Sequence, residues 1–415
     1  MTNGTRVFLS CALGSIITWY DSLIFATATA LVFSKLFFTG MGVFVPIVVF
    51  ASGFLLRPVG SLFFGHFGDK IGRKNMLIYT LYLTGLSSVL VGLLPTYNDI
   101  GITATILLIL CRAIQSIAFG GEWAASTTML TEHNINSSNR GLIASVASSG
   151  WAPGMLLASA MFAIINSFGN EFFMSVGWRI PFLFSFMLMI VGVYIRSKIS
   201  ETPLFQLNKE KNNLQIWPVK SFAKEFWKKW ILAVLAYQSS SLWAYAITVF
   251  GFSYVINHKM STPAEITEMQ LYILPILVLA LIFWGWLGDK ISRVKLFHIN
   301  SVFAIVLGYP IFYWVSQGQI LLPFLSFALV CAPQLASASG FFSEIYPSNV
   351  RQTGSGLTYM IASLLGAGLL TMLAQHIIYV TDDIMSVVPL FVGVSVVSLL
   401  ASVALDKKQD LIDQR

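Results

Sequence analysis

The length of its apolar runs constrains this chain most. Stretches of about 20 mostly hydrophobic residues, enough to cross bilayer hydrocarbon as a helix, recur with short polar loops between them. The spacing predicts spans at 7–33, 43–66, 76–95, 102–131, 141–166 and 179–198. After a polar, Lys-rich stretch the pattern resumes at 230–257, 268–288, 294–316, 319–345, 353–379 and 384–404. With 56% hydrophobic residues and only 10% charged ones, this surface cannot be hidden in one soluble core and most of it must face lipid. The expected fold class is an all-α membrane protein of about twelve transmembrane helices. Its expected parts are 1–199, a linker at 200–229, and 230–415.

A net charge of +7 raises the question of nucleic acid, but the basic residues sit in alternate loops. One side holds Arg6, then Lys70, Arg73 and Lys74, Arg140, the cluster from Arg196 to Lys229, then Lys290, Arg293 and Lys295, Arg351, and finally Lys407, Lys408 and Arg415. The other side holds Lys35, Arg179 and Lys259. That is the positive-inside pattern, so the expected partner is the lipid bilayer, no nucleic acid is expected, and both termini read as cytoplasmic. The first span follows Met1 to Arg6 with no small-residue cleavage site, so it reads as a retained helix. Cys11, Cys111 and Cys331 lie in separate apolar stretches, which gives no disulfide framework. His66, His133, His258, His298 and His376 lack metal-ligand spacing, and no metal or cofactor is expected beyond a proton as coupling ion.

Between the second and third spans stands Gly65-His66-Phe67-Gly68-Asp69-Lys70-Ile71-Gly72-Arg73-Lys74. In the matching loop of the second half stands Gly285-Trp286-Leu287-Gly288-Asp289-Lys290-Ile291-Ser292-Arg293-Val294. Two such loops in corresponding places mark an internal repeat, hence two pseudo-symmetric six-helix bundles. A weaker echo relates Glu132 and Arg140 to Glu344 and Arg351. Glycines permit a tight turn, while Asp69 can pair with a base and cap a helix end. Isolated, such a loop reads as an interfacial turn; duplicated, it reads as a gate built on Asp69, Arg73, Asp289, Arg293, Arg140 and Glu132.

These loops resemble the signature of the major facilitator superfamily. Arg57-Pro58-Val59-Gly60, Gln115 with Phe119-Gly120-Gly121-Glu122, Gly177-Trp178-Arg179-Ile180-Pro181-Phe182 and Glu201-Thr202-Pro203-Leu204-Phe205 narrow the resemblance to the metabolite:proton symporter family, with its permeases for proline and betaine, 2-oxoglutarate, citrate and shikimate. The resemblance spans nearly the whole chain. It implies a bacterial inner-membrane transporter in which two bundles rock about a central cavity, and proton-coupled symport of a small carboxylate-bearing metabolite. One chain holds both halves, so a monomer suffices. With only a short stretch after Lys407 and Lys408, osmotic sensing through a long regulatory coiled coil is not expected.

Charges placed deep in hydrocarbon usually face partners or a wet cavity. Asp21, Arg57, Arg112 and Glu122 are such charges. Asp21 lies mid-helix in Thr18-Trp19-Tyr20-Asp21-Ser22, with Thr18 on its face. Family members carry Glu-Trp-Phe-Asp-Phe there, and Thr18 and Ser22 depart from it. Asp21 and Glu122 are the candidate proton-coupling residues; for each, a permanent structural pair is the competing reading. Arg112 and Gln115 share a helical face, and the guanidinium suits a carboxylate, either the substrate's or that of Asp21. Arg57 can snorkel, and a structural role is expected of it. Trp19 and Tyr20, with Gln238, Tyr245, Gln334 and Tyr359 of the second half, complete the expected substrate lining; packing is the alternative for each. Gly150 and Gly154 form a close-packing face.

No phosphate-binding loop or soluble catalytic domain is visible, so an ATP-driven pump and an enzyme are not expected. A channel fits the repeat less well than alternating access does. An uncoupled facilitator and a non-transporting sensor or scaffold remain the alternatives, both motivated by Thr18.

Overall fold

The computed structural model describes residues 3–38, 53–211 and 214–409, and every regular element among them is a helix. Eleven helical runs of the described residues are long and apolar enough to cross a membrane. They match the expected spans apart from the second. Residues 43–52 of that span lie outside the described residues, as do Met1, Arg415 and the side chains of Lys407 and Lys408; the rest of the span continues as helix Arg57–Ile71.

Two expected spans are interrupted. The fifth divides into Arg140–Ser149 and Trp151–Asn166. A Cβ on Gly150 would stand 2.3 Å from Ser15 Oγ, and one on Gly154 would stand 2.9 Å from Trp19 Cβ, so these glycines let the helix lie directly on helix Asn3–Ala28. The tenth divides into Leu321–Val330 and Ala332–Ile345, with Cys331 off the helix at φ −129°. Pro333 supplies no N–H to the turn before it, which is why the break falls there. Wider π-helical turns occupy Thr29–Phe33, Ala246–Gly251 and Leu364–Leu370.

The described chain forms two compact units. The first comprises Met1–His133, Val146–Val219 and Ser348–Gly356; the second comprises Asn134–Ser145, Lys220–Pro347 and Leu357–Arg415. Each unit thus holds a short segment from the other half of the sequence, an exchange that the simple 1–199 and 230–415 division does not anticipate. The expected linker carries two short helices, Pro203–Glu210 and Pro218–Glu225. Thr202 caps the first by accepting the Phe205 N–H.

Lipid tails are as apolar as leucine, so the helices of each unit cohere through close packing and buried hydrogen bonds. In the first unit, Phe33 meets Phe25, Phe37 and Trp178 edge-on at centroid distances of 5.2, 5.3 and 5.7 Å. Arg179 ties the end of that cluster by donating to the carbonyls of Gly92 and Leu94 at 2.8 and 2.6 Å. In the second unit, hydroxyls join the helices: the Trp243 indole N–H donates to Ser395 Oγ at 3.0 Å, and Ser398 donates to the Ala236 carbonyl.

The repeated loops make the same bend. Gly72 has φ 115° and Ser292 has φ 98°, each between a helix ending in the motif and the next beginning at Arg73 or Arg293. Glycine enters that region freely and serine does so at a cost.

Candidate functional site

Asp21 is 1% exposed in the interior of the first unit. The Ser185 hydroxyl donates to its Oδ1 at 2.5 Å, and Oδ2 has no hydrogen-bond partner among the described residues. Arg112 is linked to Ser88 through Gln115. Its Nη1 donates to Gln115 Oε1 at 3.3 Å, and Gln115 Nε2 donates to Ser88 Oγ at 2.9 Å. Asp21, Arg112 and Gln115 also line one small pocket with Thr18, Ser22, Arg57, Thr84, Ser116 and Phe119.

Helix packing sets this arrangement. A Cβ on Gly60 would fall 1.8 Å from the Ile117 carbonyl oxygen, and one on Gly120 would fall 2.0 Å from that of Arg57. Helix Arg57–Ile71 therefore lies against helix Ile102–His133 backbone to backbone. Arg57 is 5% exposed, with its guanidinium 4.4 Å from the Phe54 ring centroid and 4.1 Å from that of Phe119, a packing that accords with the structural role expected of it. Arg112 sits likewise 4.4 Å over Phe25.

Thr18 borders this pocket and a second small one lined by Ser15, Trp19, Phe119, Glu122, Trp123, Ser126 and Ala147. The Thr18 hydroxyl has no hydrogen-bond partner among the described residues. Trp19 meets Phe119 edge-on at 5.1 Å, whereas Tyr20 turns away and donates to the Pro181 carbonyl at 2.8 Å. Glu122 is held by both terminal nitrogens of Arg196, by Thr80 at 2.8 Å and by Ser126 at 3.1 Å. Arg196, grouped with the loop charges by sequence position, is 0% exposed within helix Ile180–Ser197. A buried bidentate pair of this kind holds helices together.

The repeated motifs form two matching clusters. Asp69 accepts the Gln352 and Thr353 backbone N–H groups at 3.1 and 2.9 Å, at the start of helix Arg351–Ser363. Arg73 reaches Asp69 at 3.4 Å, Glu132 at 3.3 Å and the Ser348 carbonyl at 2.5 Å. Arg351 and Thr202 also bond to Glu132, at 3.0 and 2.5 Å. In the second unit Asp289 accepts the Gly141 and Leu142 N–H groups at 2.7 and 2.9 Å, at the start of helix Arg140–Ser149. There Arg293 pairs with Asp289 at 2.5 Å and with Glu344. Arg140 is the first residue of the helix so capped.

Within the second unit, Gln334 is 0% exposed, and its Nε2 donates to the Ala236 carbonyl at 3.1 Å. Tyr359 is 6% exposed and stacks at a tilt on Tyr237 with centroids 5.2 Å apart. Gln238, also 6% exposed, lies where helix Trp227–Tyr245 meets Gly366 so closely that a Cβ there would be 2.3 Å from the Gln238 carbonyl. Tyr245 is half-buried and ends that helix at the π turn.

A family model described as "Sugar (and other) transporter" matches residues 7–216. The shikimate transporter of Escherichia coli (strain K12) is 28% identical over 396 residues, covering 91% of this chain and 89% of the relative. The inner membrane metabolite transport protein YhjE of the same strain is 31% identical over 383 residues, covering 87% and 85%. The xylose transporter XylE from E. coli, solved in a partially occluded inward-open conformation, matches with a TM-score of 0.69 at 16% identity over 98% of both chains. A bundle of membrane-spanning helices with this motif pair, matched by that model over half its length and by a 31% identical relative over most of it, belongs to the sugar (and other) transporter family and has the major facilitator fold.

Proposed function

We propose that this chain is a secondary active transporter that moves a small carboxylate-bearing metabolite together with a proton by alternating access. The placement of Asp21, Arg112 and Gln115 on one pocket of the first unit carries the reading. A substrate carboxylate arriving at the Arg112 fork competes for the cation that otherwise favours an ionised Asp21, so its binding favours protonation of that carboxyl. The shikimate transporter among the relatives handles a carboxylate, which accords with a guanidinium in the cavity. The inner-membrane relative and the distribution of basic residues support an inner-membrane site with both termini cytoplasmic. In the same reading, the clusters at Asp69 and Asp289 are the gates, each holding a segment contributed by the other half of the sequence.

Thr18 favours a second reading, an uncoupled facilitator, because a hydroxyl stands where the resembling family has a second carboxylate. Uptake of a panel of labelled organic acids, betaines and amino acids into proteoliposomes, with and without an inward proton gradient, separates the two. Symport predicts uptake driven by the gradient. Saturable uptake indifferent to the gradient would establish the facilitator.

A further inference from the structure

The second unit carries a basic, aromatic surface that the transport reading does not use. Helix Pro218–Glu225 is followed at Phe226 by the start of the membrane-spanning helix Trp227–Tyr245, so this segment lies where the chain enters the bilayer. Lys220 and Lys224 are exposed one helical turn apart, and exposed Lys228 follows them. Trp227 is 49% exposed, with Lys228 Nζ 5.5 Å from its ring centroid. Glu225 is the one acid between Lys220 and Trp230. The opposite side is committed to the protein. Phe222 is 3% exposed, and Phe222 and Phe226 close on the Tyr346 ring at 5.4 and 6.1 Å.

We propose that Lys220, Lys224, Trp227 and Lys228 form a docking surface for anionic phospholipid headgroups, and that its occupancy steadies Tyr346. Charge complementarity selects the occupant: three exposed ammonium groups at headgroup depth attract phosphate-bearing lipids. An exposed indole at the same depth seats in the interfacial layer, as interfacial tryptophans do. The steadying follows from the other side of the helix. Tyr346 is 1% exposed, shares a 2.8 Å hydrogen bond with Thr358 Oγ1, and lies two residues before Ser348, whose carbonyl Arg73 holds. Headgroups that pin Lys220 and Lys224 press Phe222 onto the ring that begins this gate loop.

The test uses the full chain in vesicles and needs no transported substrate. Quenching of Trp227, taken as the difference between wild type and Trp227→Phe, is compared for brominated phosphatidylglycerol and brominated phosphatidylcholine. Hydrogen exchange over residues 345–351 is followed in the same vesicles. Phosphatidylglycerol is expected to bind about tenfold better and to slow that exchange. Replacing Lys220, Lys224 and Lys228 together by Gln removes both effects without altering thermal melting in detergent, and replacing them by Arg restores both. Phe222→Leu keeps the lipid preference and weakens the slowing of exchange. Equal quenching by the two lipids, which would indicate an ordinary apolar belt, overturns the proposal. So does a lipid preference that survives in the Gln variant, or one that leaves exchange over 345–351 unchanged.

Discussion

Asp69 and Thr353 lie 284 residues apart in sequence, yet the Thr353 N–H donates to Asp69 Oδ2 at 2.9 Å. The Asp289 carboxylate repeats the arrangement with Gly141 at 2.7 Å. In both, a carboxylate takes successive N–H groups at the start of a helix whose first residue is an arginine, Arg351 or Arg140. Charge and dipole therefore favour the same contact.

Asp69→Asn replaces one acceptor oxygen by an NH2 group facing N–H donors. The variant is expected to lose about 1–3 kcal/mol in thermal unfolding of the purified protein. Its initial uptake rate is expected to fall about tenfold, because a gate that closes on this contact loses population. Unchanged uptake in a folded Asp69→Asn would remove the contact from the gating cycle.

Ser292 holds φ 98° where the first copy of the motif has Gly72. Ser292→Gly relieves that strain and should stabilise the protein by about 1 kcal/mol. Gly72→Ala should destabilise it, since the added Cβ would meet Glu201 Oε2 at 2.3 Å in addition to the strained φ. Chemical denaturation of the two variants reads both signs.

Glu122 and Arg196 are both buried, so removing one leaves the other charged without its partner. Glu122→Gln or Arg196→Gln alone should cost about 3–5 kcal/mol, and the double variant should recover a large part of that loss. Additive losses in the cycle would contradict the pairing.

Two exposed caps set a pH dependence. The Thr96 N–H and hydroxyl hold the Asp99 carboxyl below its ordinary value; the Thr262 N–H and Ser261 hydroxyl do the same for Glu265. Lowered carboxyl values mean that each cap contributes above the ordinary value and is lost as pH falls through the lowered one. Carboxyl NMR titration should place Asp99 below about 3.9 and Glu265 below about 4.3. Values at or above these would mean that the caps do not form.

The spans and the repeated loops are legible in the sequence because bilayer thickness and turn chemistry act on consecutive residues. The partners of the buried charges are not. Ser185 reaches Asp21 across 164 positions and Arg196 reaches Glu122 across 74, and neither has a local pattern to mark it. Arg196 closes an apolar span, where a base ordinarily signals topology; only the packing that leaves no room at Gly14, where a Cβ would be 1.7 Å from its Nη2, shows it turned inward. The carboxylates that meet segments 134–145 and 348–356, Asp289 and Asp69, are likewise far away in the chain, and sequence spacing cannot pair them.

In the proposed symport, the Asp21 carboxyl carries the coupled proton. Once the uptake panel identifies a substrate, Asp21→Asn in proteoliposomes separates binding and exchange from coupling. Counterflow exchange of labelled for unlabelled substrate needs no net proton movement, whereas accumulation against a gradient does. Asp21→Asn is expected to retain counterflow and to lose proton-driven accumulation. Accumulation at the wild-type level in Asp21→Asn would contradict this.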